Sequence, residues 1–173
     1  CGFRPVTIYQ DLHLSVPAQG IAPPALPGIR ILLAGPEHAD EIALAEHELC
    51  GISRQQDHHA LLSQTTLPWE TLVARDSSNA PIGAITLTRH PDWSMPGPAF
   101  ARDETVMLTL LHHALNHLKG RNIVLLIPSD ARELLASMYR LGGRNIELHA
   151  LQIRGDWKPA RGISLPTFLP ETF

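Results

Sequence analysis

Residues 122–128, NIVLLIP, form an apolar run without polar alternation, entered from Gly120 and closed by a proline. A strand with one wet face alternates; an unbroken run of this length is the pattern of a central strand buried on both faces. The residues beyond Pro128 complete a crossover. Asp130 stands where an N-cap is expected, and Leu134, Leu135, Met138 and Leu141 make a buried helical stripe. Gly142 and Gly143 stop that helix. RNIELHALQIRG then alternates, with Ile146, Leu148, Ala150 and Gln152 on one side and Glu147, His149, Leu151 and Ile153 on the other.

Upstream, 29–34 (IRILLA) reads as a short strand, and Pro36 opens a helix to about Leu49. Ser53 is the expected N-cap of a second helix over 54–64. ETLVAR and PIGAITLTR are strands joined by the turn-rich DSSNA, and MPGPAFA is a short strand interrupted by proline. Asp103 caps a long helix through Lys119, with Met107, Leu111, Ala114, Leu115 and Leu118 at helical spacing. The order is strand, helix, helix, three strands, helix, strand, helix, strand. Hairpins come first and the crossover later, so the fold class is α/β or α+β with a mixed sheet. Nearer the N-terminus, Val6, Ile8, Gln10, Leu12 and Leu14 alternate as a strand. Residues 15–28 then carry four prolines and two glycines beyond Val16 and read as an extended linker. The tail from 158 to 173 is broken by proline and expected to be irregular.

With 44% hydrophobic residues the chain can bury a real core, and a formal charge of −3 supplies no field for nucleic acid or an anionic membrane. Two cysteines are too few for a disulfide scaffold and point to a reducing cytoplasm. No apolar stretch approaches a bilayer's thickness.

The element order over about 28–157 resembles the GNAT fold, whose members move an acetyl group from acetyl-CoA to an amine. GPAFARDETVMLTLLHHAL looks like the strand and helix that grip the cofactor. IVLLIPSDARELLASMYRLGGRNIELHALQIRG looks like the last crossover, closest to the second lobe of tandem GNAT proteins. The resemblance implies that residues 1–14, opening CGFRP, are the terminal strand of a preceding lobe, that 15–28 are a linker and that 29–157 are a GNAT-like domain. Having lost its own sheet, the strand at 6–14 should add to an edge of this domain or exchange with a second copy, giving a homodimer.

The resemblance places the cofactor against Phe100, Ala101 and Arg102. The family's phosphate turn is rich in glycine, because glycines let backbone N–H groups approach the pyrophosphate at a helix N-terminus. Here the turn is ARDETVML, without glycine. Asp103 and Glu104 bring negative charge, with Arg102 the compensating group, and Pro98 removes a donor from the strand beside the pantetheine arm. The cradle reads as degenerate, or as a weaker one of another shape, and acetyl-CoA is then expected on the preceding lobe. For the acid that protonates the leaving thiolate, aligning Gly143 with the family glycine selects Tyr139, while aligning Gly142 selects Met138. Glu147 or His149 is the candidate base, and Glu70 and His90 are weaker ones. The acceptor is a small-molecule or protein amine.

His113 and His117 stand i,i+4 on a helix, but no third ligand is evident, so no metal is expected. His58 and His59 read as a solvated pair, and Cys50 as a small buried hydrophobe. LGGRN lacks the context of a dinucleotide fingerprint, and Trp69, Trp93 and Trp157 are scattered without a basic stripe.

Overall fold

The structure is a computed structural model that describes residues 2–24, 26–63, 69–89 and 94–167. Cys1, Gln64, His90 and Trp93 lie outside the described residues. Eight strands, β1 (Phe3–Ser15), β2 (Arg30–Leu33), β3 (Trp69–Arg75), β4 (Pro81–Arg89), β5 (Ser94–Ala101), β6 (Asn122–Pro128), β7 (Arg144–Arg154) and β8 (Ile163–Leu165), form one sheet. Among the described residues four α-helices flank it: α1 (Ala39–Cys50), α2 (Gln55–Ser63), α3 (Glu104–His117) and α4 (Arg132–Arg140). The sheet runs β2-β3-β4-β5-β6-β1-β7, with β8 also on β5. The expected mixed α/β architecture is present, and β5–β6 is a parallel pair in an otherwise antiparallel sheet. None of the described helices is long and apolar enough to cross a membrane.

The principal correction concerns β1. Instead of adding to an edge, it lies inside the sheet, pairing antiparallel with β6 on one side and β7 on the other. Leu12 and Leu14 are buried and pack with Leu125, Ile127 and the α3–α4 residues Leu111, Leu115, Leu134 and Met138. The alternation therefore identifies the core face correctly, but the core begins before the proline-rich segment. That segment is not a free spacer either. Asn116 of α3 accepts from the Ile21 N–H at 2.9 Å and donates to the Ile21 carbonyl at 2.6 Å, while His112 Nδ1 lies 3.2 Å from the Ala22 carbonyl.

The hairpin of β3 and β4 forms as expected. Asp76 accepts from the backbone of Ser78 and Ala80, and Asn79 takes φ of 70°. Pro36 opens a 3-10 turn over Pro36–His38 that leads into α1. Asp103 caps α3 through the Val106 N–H at 2.9 Å, as its position predicts. Asp130 does not cap α4; the N-cap is Ala131, which has no side chain to bond. The cap comes from a different helix, with Glu104 of α3 accepting from the Leu134 N–H at 2.7 Å. Ser53 also fails as a cap. Its hydroxyl lies 3.0 Å from His47 Nδ1, and Arg54 supplies the carbonyl that accepts from His58 at the start of α2.

The α1–α2 pair is joined by charge as well as apolar contact. Glu46 is wholly buried and accepts two bonds from Arg54, while His58 Nε2 lies 2.8 Å from its Oε2. His58 is thus buried, not solvated. Asp40 accepts from Gln55 and lies 2.8 Å from His59 Nε2 on the exposed side. Burial alone would raise the Glu46 pKa, but the bonds from His58 and Arg54 outweigh it and hold the carboxyl below its ordinary value.

Two outcomes are expected of these carboxylates. Glu104→Ala should cost about 1 kcal/mol in urea denaturation through loss of the α4 cap, and Glu104→Gln, which keeps an acceptor, less than half of that. Because Glu46 is depressed in the folded state, its stabilisation is complete above the ordinary carboxylate range of about 4.3 and is lost as pH falls through the folded value. Glu46→Gln should therefore cost about 3 kcal/mol at neutral pH. It should also flatten the fall of the urea midpoint below about pH 5.

Candidate functional site

β5 and β6 start side by side, with Ser94 paired to Ile123, and then diverge without another paired position. This leaves a splay whose mouth lies at the carboxyl ends of the strands, next to the first turns of α3 and α4. Crevices of this kind are where α/β sheets commonly take ligands. In this chain β8 sits in the mouth. It pairs antiparallel with β5 through Ala99–Leu165, Phe100–Ser164 and Ala101–Ile163, and it also borders β6.

The seat is built into both partners. A Cβ at Gly162 would stand 2.3 Å from the Ala101 carbonyl oxygen, and one at Gly97 would stand 2.8 Å from that of Pro166. Gly97 also takes φ of 139°, which side-chain-bearing residues rarely adopt. Leu165 is wholly buried among the α3–α4 core residues. The N–H groups of Arg161 and Gly162 donate to the Leu49 carbonyl at 2.9 Å, tying the segment to the end of α1. A tail expected to be irregular thus supplies a strand at 163–165. The only local sign is ISL between a glycine and a proline.

Phe100, Ala101 and Arg102 meet this arrangement directly. Phe100 and Ala101 point to opposite cores, one toward α1 and one toward α3, and their outer backbone edge is taken up by β8. Pro98 lies in a bulge, since Thr86 of β4 faces two residues of β5, and its missing N–H costs the ladder nothing. Arg102 pairs with Asp103 at 3.2 Å. At the first turn of α3, Asp103 occupies the Val106 N–H, and Glu104 is drawn off to α4. Carboxylates thus stand at the starts of both helices.

Glu147 and His149 share a face of β7, and the structure brings a third group to them, Asp11 of β1. Tyr139 lies elsewhere. Its hydroxyl donates to Gln10 Oε1, and Gln10 alternates with Tyr9 and Asp11, the partners of His149 and Glu147. Tyr139, 44% exposed, is therefore on the α4 side of the sheet, with Glu147 and His149 on the other. Met138, its alternative, is wholly buried in the core. Glu70 joins a separate cluster, 2.7 Å from His117 Nδ1 and 2.5 Å from Arg89. His117 is thus engaged by a carboxylate.

Beside β8 an open cleft of about 580 Å³ is walled by Tyr9, Arg102, Asp103, Asp130, Trp157 and Arg161, among others. Burial, then the Asp130 charge, raises the Tyr9 pKa, so its phenol stays protonated. Cys50 also borders the cleft, half-buried, with its thiol pushed up by burial to about 11. At that value it is a thiol at neutral pH.

No protein-family profile and no curated protein matches the chain. Solved structures do. A GCN5-related N-acetyltransferase from Sphaerobacter thermophilus superimposes with a TM-score of 0.63 at 18% identity, over 87% of this chain and 52% of that one. A conserved protein of unknown function from Staphylococcus epidermidis gives 0.59 at 13% identity, over 85% and 60%. A GCN5-related N-acetyltransferase from Kribbella flavida gives 0.53 at 13%, over 87% and 59%. The chain spans between 52% and 60% of the length of these structures. Across the splayed parallel pair, the antiparallel hairpins and the flanking helices, the fold of this chain is the GNAT fold of N-acetyltransferases.

Proposed function

We propose that this chain is one lobe of a GNAT-type N-acetyltransferase, and that its own splay is not where acetyl-CoA is held. The observation that carries this reading is β8, paired to the edge of β5 that a pantetheine arm would need. The carboxylates at the starts of α3 and α4 support it, because an anion there would meet like charge and N–H groups already bonded. In this reading acetyl-CoA binds on a companion lobe, and α1 and α2 form part of the wall against which an amine acceptor rests. The reaction is direct attack of the amine on the thioester. The N–C bond forms as C–S breaks, one amine proton passes to a base, and the thiolate leaves to be protonated.

A second reading, a GNAT-like lobe without catalysis that binds a ligand or dimerises, is favoured by the separation of Tyr139 from Glu147 and His149. The whole protein separates the two. Release of free thiol from acetyl-CoA in the presence of amines supports the first reading, and no release supports the second.

Calorimetric titration of this chain with acetyl-CoA should give no saturable binding in the micromolar range; micromolar affinity would overturn the assignment of the cofactor to another lobe. Tyr139→Phe in the whole protein should leave turnover within about twofold, whereas loss of a general acid costs about 100-fold or more.

A further inference from the structure

Asp11 and Glu147 face each other across the β1–β7 ladder, and Tyr9 and His149 form the next pair on the ladder. The register runs unbroken through both pairs, so three potential ligands are held on one sheet face by backbone pairing. His149 Nε2 lies 3.8 Å from Asp11 Oδ2 and 3.7 Å from Glu147 Oε2, and the three ligand atoms all fall within 4.8 Å of one another. These separations are too long for hydrogen bonds. They suit groups arranged around a shared centre, since ligand bonds of about 2.0–2.2 Å bring donors a little closer than this.

The carboxylate at the base of the cluster points the same way. The Asp11 side chain is only 13% exposed, and its Oδ1 is buried without a hydrogen-bond partner among the described residues. A buried acceptor left unsatisfied is costly and calls for an occupant of opposite charge. His13 stands two residues along the same strand. Glu147, with a side chain 70% exposed, opens the cluster to solvent and supplies an entry path.

We propose that Asp11, Glu147 and His149 form a binding site for a divalent transition-metal ion of the zinc type. One imidazole nitrogen and two carboxylate oxygens suit a borderline cation better than calcium or magnesium, and the fourth position remains for water or a ligand donor. The site lies on the sheet face away from Tyr139 and does not rest on the acetyl-transfer reading.

The test is calorimetric titration of the chelator-treated chain with ZnCl2, together with CoCl2 absorption spectra. One saturable site of micromolar affinity or better is expected, with the visible bands of low-coordinate cobalt. Asp11→Asn and His149→Gln should each weaken zinc binding at least tenfold and remove those bands, while the His113→Gln, His117→Gln double variant binds as the parent does. If either core variant fails to fold by circular dichroism, Glu147→Gln at the exposed position decides, with the same tenfold loss expected. No saturable binding by the parent, or zinc affinity unchanged in the folded variants, would overturn the proposal.

Discussion

The structure turns on the divergence of β5 and β6. Two parallel strands that part after one paired position expose backbone donors and acceptors along the crevice between them. Such groups need partners, and the partner can come from a ligand or from the chain. In this chain it comes from β8, and the fit is close enough that glycine is required on both sides of the contact, at Gly97 and Gly162. Because Leu165 is wholly buried in the main core, the strand in the splay is part of what holds the fold together. A cofactor arm could take the same edge of β5 only by displacing a piece of the core.

The helix starts obey the same logic. An α-helix opens with N–H groups that lack partners, and these are what phosphate-binding folds offer to an anion. Here Asp103 bonds one on its own helix, and Glu104 reaches across to bond one on α4. Both carboxylates stabilise the fold by satisfying those groups. Between α1 and α2, Glu46 is likewise enclosed between Arg54 and His58 as an internal tie.

β1 has the widest consequences for the other half of the sheet. Placed between β6 and β7, it turns β7 from a strand that would need β6 into one that depends on β1. It leaves Ile146 and Leu148 of β7 well exposed. It also sets Asp11 opposite Glu147, which creates the carboxylate–imidazole cluster.

What the sequence determined by itself is local. The buried strand at 122–128, the β3–β4 hairpin with its Asp76 turn, the Asp103 cap and the glycine stops are all legible, because each depends on a periodicity or on a side chain bonding backbone a few residues away. The face of β1 that enters the core is legible for the same reason. Tertiary structure decided the rest. It placed β1 inside the sheet, put β8 in the splay, exchanged Asp130 for Glu104 as the α4 cap, and set Tyr139 on the opposite face from Glu147 and His149. Alternation tells which side of a strand is buried but not which strands lie beside it, and a carboxylate 30 residues away in sequence leaves no local mark. Asp11 shows the limit most clearly: in the sequence it is one polar residue in an alternating strand, and only pairing across the ladder gives it Glu147 and His149 as neighbours.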